Sequence, residues 1–157
     1  MRRVFKLITS VIICQSAGLA GSFFTRTSVD TWYKILAKPF FTPPSWIFAP
    51  VWITLYFLMG ISLFLVWNEG LDKPQIKNAI LVFLLQLILN SLWSAVFFGM
   101  HSLLLSVIII IFLWSAIVWT IVKFYKISKK AASILIPYIF WVSFAVILNL
   151  SILFLNA

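Results

Sequence analysis

The sequence predicts an all-α membrane protein, a five-transmembrane-helix bundle. Of its 157 residues 64% are hydrophobic and only 10% are charged, whereas soluble domains carry about 25% charged residues. Five segments are long and apolar enough to cross a hydrocarbon core of about 30 Å. Stretches such as 107–113 are continuously apolar, whereas strands of a membrane barrel would alternate. The predicted spans cover residues 5–25, 46–67, 77–98, 103–124 and 131–154, within a single domain of residues 1–157.

The basic residues predict how the bundle is oriented. The net charge is +9. Because five spans put the two termini on opposite sides of the membrane, nine of the twelve Lys and Arg residues lie on the N-terminal side and three on the other. Cytoplasmic loops of membrane proteins are rich in Lys and Arg, so we expect a cytoplasmic N-terminus, with the first loop and the C-terminus outside a bacterial cell membrane. These clusters fit lipid headgroups rather than nucleic acid. The N-terminal side holds Arg2, Arg3, Lys6, Lys73, Lys77, Lys123, Lys126, Lys129 and Lys130, and the other side holds Arg26, Lys34 and Lys38.

The first segment fits two interpretations. A basic start, an apolar run and small residues near its end are typical of a cleaved signal peptide. We favour a permanent span, because the apolar character continues through Phe23 and Phe24. Its second half is rich in small residues, including Gly18 and Gly21. Small residues let helix backbones approach closely, so this half is predicted to pack inside the bundle.

The stretch from Trp32 to Trp52 is the least ordinary part of the chain. It contains three of the eight tryptophans and four of the six prolines. Prolines stiffen a loop and lower the entropy that is lost when the loop becomes ordered. A stiff aromatic loop fits a lid over an apolar ligand, and it equally fits an interfacial anchor, because Trp and Tyr collect at headgroup depth.

Polar residues inside the third and fifth spans predict an interior face. Gln86, Asn90 and Ser94 are spaced four apart and share one side of a helix. Amides in a bilayer are costly when unpaired, so they face partners or a cavity. We favour hydrogen bonding between helices for Gln86 and a cavity for Asn90. In the fifth span, Pro137 predicts a kink.

Residue types exclude most catalytic chemistry. The chain has one His, one Cys and three acidic residues, too few for a strong metal site or a pair of catalytic carboxylates. No charge lies in the middle of a span, which argues against an ion-coupled pump. His101 is a candidate lone axial ligand for haem iron or, more simply, an exposed interfacial histidine. We therefore predict no metal site and no resident cofactor, and Cys14 excludes an intrachain disulfide.

Aromatic residues at a common depth predict a binding chamber. The chamber would suit a flat, largely apolar ligand that stacks on rings and is held by amide donors. Arg26, Lys34 and Lys38 at its mouth would attract carboxylates, or they are solvated loop charges. The residues predicted to form it are Trp52, Tyr56, Asn90, Trp93, Trp141 and Ala145, roofed by Tyr33, Pro43 and Pro44.

Residues throughout the chain resemble the TspO/MBR family of tryptophan-rich sensory proteins, which is related to the mitochondrial translocator protein. The resemblance extends over all five spans in order. The matching pieces are Gly21-Ser22-Phe23-Phe24, Trp32-Tyr33, Lys38-Pro39, Pro43-Pro44, Phe48-x-Pro50-Val51-Trp52, Leu55-Tyr56, Met59-Gly60, Gln86, Leu89-Asn90, Trp93, Phe97-Phe98-Gly99, Pro137-Tyr138, Trp141, Phe144-Ala145 and Leu148-Asn149.

The resemblance implies a five-helix fold, often a homodimer, with a ligand pocket beneath the first loop. The family binds porphyrins such as protoporphyrin IX and benzodiazepine-type ligands, and some members are reported to degrade protoporphyrin under light. By position, the implied pocket residues are Tyr33, Trp52, Asn90, Trp141 and Ala145. Trp52 and Trp141 fall on the tryptophans associated with degradation, and so are the candidate catalytic residues.

Three departures from the family pattern narrow this expectation. Phe41 stands where a Trp is usual, and Ile109 stands where an acid is common. The Tyr and Arg of the cholesterol-recognition segment after Asn149 are absent, so cholesterol binding is not expected. A membrane receptor for a tetrapyrrole is the first functional hypothesis. A transporter of porphyrin or lipid-like ligands, and a regulatory partner of another membrane complex, are the alternatives.

Overall fold

A computed structural model describes residues 1–157. Its long helical segments match the predicted spans in number and order. Helix α3 is preceded by a 3₁₀ turn at Ser45–Ile47, and α4 continues as a π-helical turn at Ala95–Gly99. The helices are α1 (Arg2–Ser28), α2 (Trp32–Ile35), α3 (Phe48–Trp67), α4 (Pro74–Ser94), α5 (Leu103–Tyr125), α6 (Lys129–Ile134) and α7 (Ile136–Leu155).

Five helical segments are long and apolar enough to cross a membrane, which confirms the predicted fold class. The first is longer than predicted, because Arg2 and Arg3 already lie in the helix. We call the end of the bundle that carries α2 and the C-terminus the loop end, and the opposite end, which carries the N-terminus, the basic end. The segments are Arg2–Ser28, Ser45–Trp67, Pro74–Gly99, Leu103–Tyr125 and Lys129–Leu155.

Helices α1 and α3 pack closely because glycines remove the side chains between them. A Cβ added at Gly60 would lie 2.7 Å from the Cα of Val11, and one added at Gly18 would lie 2.6 Å from the Tyr56 ring. Further along α1, the carbonyl of Gly21 accepts a hydrogen bond from Ser94 of α4. Gly18 and Gly21 therefore pack against α3 and α4 as predicted, whereas Ser16 and Ala20 in the same half of α1 are exposed.

The fifth span is interrupted as Pro137 predicts. Helix α6 ends at Ile134 and α7 begins at Ile136, with Leu135 between them. Pro137 lies in the first turn of α7, where its missing N–H costs little. At the other end of α6, Ser128 accepts a hydrogen bond from the Ala131 N–H as an N-cap.

The π-helical turn at Ala95–Gly99 was not predicted. A π turn inserts an extra residue and so changes which side chains face inward. Here Phe97 and Phe98 are both buried beside Tyr33. Gly99 ends the turn where a Cβ would lie 2.8 Å from the Phe24 ring. The π-helical turn therefore directs the adjacent rings of Phe97 and Phe98 towards Tyr33 at the loop end of the bundle.

Candidate ligand-binding cavity

A cavity of about 410 Å³ lies at the loop end among α1, α3, α4 and α7, below α2. Its volume falls within the range of about 300–1,000 Å³ that is usual for small-molecule sites. The backbones of α1 and α4 pack against each other, whereas those of α3 and α7 lie further apart and the two helices meet through aromatic side chains, which leaves the space open. Seven residues predicted from the sequence line it: Tyr33, Trp52, Tyr56, Asn90, Trp93, Trp141 and Ala145.

Aromatic rings form two connected groups around this cavity. In the first, Trp52 lies 5.7 Å from Tyr56 and 6.4 Å from Trp93, measured between ring centroids. In the second, Trp141 lies 6.2 Å from Phe48 and 5.6 Å from Phe144. Rings at these distances and tilts stabilise one another. The rings of Trp93, Phe97, Tyr33 and Phe48 join the two groups, so both candidate catalytic tryptophans belong to one aromatic network.

The indole N–H groups of Trp52 and Trp141 are free. Within the protein, only the indoles of Trp93 and Trp114 donate hydrogen bonds, to Asn149 Oδ1 at 2.9 Å and to Ser143 Oγ at 2.8 Å. Trp52 and Trp141 are only partly buried. A ligand in the cavity would therefore meet two indole donors that have no competing partner.

Asn90, by contrast, forms hydrogen bonds to neighbouring side chains through both its Oδ1 and its Nδ2 atom. Tyr56 donates to Asn90 Oδ1 at 3.0 Å, and Asn90 Nδ2 donates to the Tyr138 hydroxyl at 2.7 Å. The Tyr138 hydroxyl in turn donates to Gln86 Oε1 at 2.7 Å. Gln86 therefore bonds between helices as predicted. Asn90 borders the cavity, and its amide bonds to α3 through its oxygen and to α7 through one of its two N–H groups.

Asn149 on α7 is engaged in the same way. Its Oδ1 accepts from Trp93, and its Nδ2 donates to Ser106 Oγ of α5 at 3.2 Å. Asn149 therefore fixes the Trp93 ring rather than offering its amide to the cavity. Both amides in the predicted chamber thus hold aromatic residues in place.

The roof of the cavity is the segment from α2 to the start of α3. Tyr33 is buried there, and its hydroxyl has no hydrogen-bond partner. Burial raises the pKa of Tyr33 from 10.0 to about 12. Its hydroxyl thus stays neutral at physiological pH. Any stability that it owes to the neutral form is present below pH 10 and lost only as pH rises from 10 through 12.

Two contacts fasten the roof to the bundle and to itself. Lys38 Nζ donates to the carbonyl oxygens of Tyr33, Leu36 and Lys34 at 2.8, 3.0 and 3.2 Å. Asn156, just beyond α7, pairs with Ala37 through both amide atoms, at 3.0 and 2.8 Å. The roof is therefore a braced structure rather than a loose loop.

Pro43 and Pro44, predicted to contact a ligand, lie outside the cavity lining. Pro43 is partly buried and Pro44 is exposed. They precede the 3₁₀ turn at Ser45–Ile47 and set the direction in which the chain enters α3. Their direct contact with a ligand remains a prediction.

The three cations expected at the mouth differ in what they can do. Lys38 is committed to carbonyl oxygens, and Lys34 does not line the cavity. Arg26 lines the cavity, is exposed, and makes no hydrogen bond or ion pair. Only Arg26 is therefore available to a ligand.

His101 and Cys14 both lie away from the cavity lining. The His101 ring stacks on Trp32 at 4.3 Å, and its Nε2 is 3.1 Å from the Ser28 hydroxyl. Because that hydroxyl donates to the Phe98 carbonyl, Nε2 is the donor to Ser28. Cys14 is wholly buried between helices. No group of three or more His, Cys, Asp or Glu residues comes together, so the cavity offers no metal site of that kind.

Several cavity residues were not predicted from the sequence as lining. Phe48, Phe97 and Phe144 supply rings, and Gly18 and Gly21 supply open wall. The phenylalanines carry no polar atom that marks them out from lipid-facing residues. Their spacing of three or four residues from Trp52, Trp93 and Trp141 along the chain was the available signal.

Comparison with known proteins agrees with this architecture. The sequence pattern of the TspO/MBR family matches residues 10–155. The chain belongs to the TspO/MBR family. The matched range includes every residue that lines the cavity, from Gln15 to Ile152.

Relatives of this TspO/MBR protein come from archaea, bacteria and animals. It is 46% identical over 154 residues to the tryptophan-rich protein TspO of Archaeoglobus fulgidus, covering 98% of this chain and 99% of that one. The tryptophan-rich protein TspO of Chlorobaculum tepidum is 41% identical over 155 residues, with 99% and 98% covered. The human translocator protein is 35% identical over 130 residues, with 82% and 77% covered. The protein is thus an integral membrane protein of the TspO type.

Proposed function

We propose that this protein is a membrane receptor that binds a tetrapyrrole such as protoporphyrin IX in the cavity below α2. The observation that carries the proposal is the convergence of Trp52, Trp93 and Trp141 on one cavity, where the indole N–H groups of Trp52 and Trp141 have no partner in the protein. A flat apolar ring system stacks favourably on aromatic side chains, and a few polar contacts fix its orientation. The braced roof supports the same function, because a preorganised site loses little entropy on binding.

The proposal includes degradation of the bound porphyrin under light and oxygen. Excited porphyrin supplies the reactivity in such chemistry, and the protein contributes position and nearby oxidisable rings. Trp52 and Trp141 are the candidates, because they line the cavity and their indole N–H groups are not bonded to other side chains. No Asp, Glu, His or Cys lines the cavity, so its lining supplies no carboxyl, imidazole or thiol group for acid–base chemistry.

The test is a titration of the purified protein with protoporphyrin IX, in the dark and under illumination. Tryptophan fluorescence reports binding, and porphyrin absorbance reports degradation. We expect saturable quenching in the dark. We also expect faster loss of porphyrin absorbance with the wild type than with the double variant Trp52→Phe/Trp141→Phe.

A matched control is Trp119→Phe, which removes a lipid-facing tryptophan outside the cavity. This variant should bind and bleach porphyrin as the wild type does. Equal bleaching by the wild type and the double variant would refute the catalytic role. A quenching curve that stays linear, without saturation, would refute binding itself.

A further inference from the structure

The cavity wall is exposed on one side only. Of the residues that line it, the exposed ones all belong to α1 or to the segment 45–53 at the start of α3. Leu19 is 70% exposed and Ile53 is 60% exposed. By contrast, the lining residues of α4 and α7 are buried or half-buried. The opening therefore lies between α1 and α3, and the exposed residues at it are Leu19, Arg26, Ser45, Ala49 and Ile53.

The opening is closed towards the basic end. Gln15 Nε2 donates to the Ile53 carbonyl at 3.1 Å, which ties α1 to α3. Beside this tie Gly18 packs on Tyr56, and further towards the basic end Gly60 packs on Val11, so the two helices are held together there. From Gln15 to Arg26 is eleven residues of α1, or about 16 Å of helix. The opening thus runs from the middle of a span to its end, at the depth of one bilayer leaflet.

Hydrogen bonds obstruct a ligand's path to the cavity through the roof, whereas the path through the α1–α3 opening is not obstructed. Entry from above would require breaking the Asn156 pairing with Ala37 or the three Lys38 bonds. The only hydrogen bond that joins α1 to the 45–53 segment is the tie of Gln15, at the floor of the opening. A lipid chain or a hydrophobic solute can therefore reach the cavity sideways without disrupting the fold.

The rim of this opening carries one free cation. Arg26 is two residues from the end of α1, at the loop end, and forms no ion pair. A guanidinium binds carboxylate through two parallel N–H donors. A ligand whose apolar part lies in the cavity would present an acidic group to Arg26 at headgroup depth.

We propose that the cavity takes its ligand laterally from the bilayer through the α1–α3 opening, and that Arg26 binds the ligand's carboxylate at the rim. This inference rests on the proposed function and names its ligand class, an amphiphile that is dissolved in the membrane and carries an acidic edge. Such a ligand is concentrated in the bilayer before it binds, so the roof has no need to open.

The route is tested by narrowing the opening in protein reconstituted into phosphatidylcholine nanodiscs. Ala49→Phe places a ring at the opening without adding a tryptophan. Stopped-flow tryptophan quenching by protoporphyrin IX measures the association and dissociation rates. We expect association and dissociation to slow together by about tenfold, because a barrier on the path affects both directions. Ala20→Phe, on the exposed face of α1 outside the lining, is the matched control and should leave both rates unchanged.

Dissociation is the deciding rate. A phenylalanine that merely competes for cavity space would leave dissociation unchanged or faster, and that result would overturn lateral entry. Asn156→Ala, which frees the roof, should leave both rates unchanged. Faster exchange in Asn156→Ala with wild-type rates in Ala49→Phe would assign entry to the roof instead.

The carboxylate contact is tested with Arg26→Gln and two probes. Affinity for protoporphyrin IX should fall about tenfold, the loss expected for one charge-assisted hydrogen bond. Affinity for protoporphyrin dimethyl ester should stay unchanged. Lys34→Gln removes an exposed cation outside the lining and should alter neither. Equal losses for acid and ester would refute the contact.

These outcomes are separable from those of the proposed function. Saturable quenching by the wild type establishes that the protein binds porphyrin, whatever the variants do. If the wild type binds and the variants behave like it, the route and the Arg26 contact are refuted while the receptor function stands.

Discussion

Asn90 connects three helices through its single amide group. It accepts from Tyr56 of α3 and donates to Tyr138 of α7, and Tyr138 continues the chain to Gln86. All four residues are almost completely buried. Because a buried polar group without a partner costs far more than a paired one gains, this chain specifies how α3, α4 and α7 fit together.

Asn90→Leu is predicted to lower stability by about 1–3 kcal/mol, because it leaves the Tyr56 hydroxyl buried without an acceptor. The thermal unfolding midpoint in detergent measures the effect. Adding Tyr56→Phe to Asn90→Leu should recover part of the loss, since it removes the orphaned hydroxyl. An Asn90→Leu variant as stable as the wild type would show that the amide contributes nothing to packing.

Tyr33→Phe is predicted to change stability and affinity in opposite directions. The Tyr33 hydroxyl is buried without a partner, so its removal should stabilise the roof by about 1 kcal/mol. Tyr33 also lines the cavity, and we expect its unpaired hydroxyl to bond to a bound porphyrin, so porphyrin affinity should fall. Thermal unfolding and fluorescence titration measure the two effects. A variant that loses stability would mean that the hydroxyl is satisfied in the membrane-embedded protein.

Single residues were predictable from the sequence to the extent that their chemistry was unusual. Tryptophans, amides and a proline-rich loop indicated Trp52, Asn90 and Trp141 as interior residues. Whether an amide would bond to the protein or remain free depended on the position of Tyr138 on another helix. Sequence spacing along one helix carries no information about such a partner.

At the scale of elements, the contact between α1 and α3 depends on Gly60. A Cβ there would meet the backbone of Val11, which cannot rotate away as a side chain can. Gly21, by contrast, would place its Cβ 3.4 Å from Ser94, an ordinary contact distance. The two glycines on neighbouring helices therefore offer a matched comparison.

Gly60→Ala is predicted to destabilise the bundle by about 1–3 kcal/mol, because α1 must move away from α3. Gly21→Ala should be neutral or slightly stabilising, since alanine favours helix over glycine. Thermal unfolding of the two variants side by side measures the difference. Equal midpoints would contradict the close approach of the two helices.

The number and type of the membrane-spanning helices were predictable from the sequence, but a local irregularity within one of them was not. Apolar segments of spanning length identified all five spans, and Pro137 identified the break before α7. The π turn at Ala95–Gly99 was missed, because hydrophobic residues there fit an α-helix equally well. The choice is made by the burial of Phe97 and Phe98 against α2, a contact between segments distant in sequence.

Across the whole molecule, charge is concentrated at the end opposite the cavity. The connections between the five spans bring nine basic residues to the basic end and leave three at the loop end. Lys6, Lys123 and Lys129 lie over the rings of Trp67, Trp119 and Tyr125 at 5.6–5.9 Å. Such pairs hold cations beside interfacial aromatic residues.

We predict that the basic end faces the cytoplasm and that the cavity lies in the outer leaflet. Alkaline phosphatase fused after Ala157 should be active in bacterial cells, and green fluorescent protein fused there should be dark. The same reporters fused before Met1 should give the reverse pattern. Fluorescence from the C-terminal fusion would contradict the predicted orientation and place the C-terminus in the cytoplasm.

The pairing of Asn156 with Ala37 has a practical consequence for handling the protein. Asn156, which directly follows α7, braces the cover of the cavity, so a tag fused behind Ala157 would begin next to this brace. A purification tag attached there would pull on that brace during every binding measurement. Placing the tag ahead of Met1 puts it a full bilayer thickness away from the site.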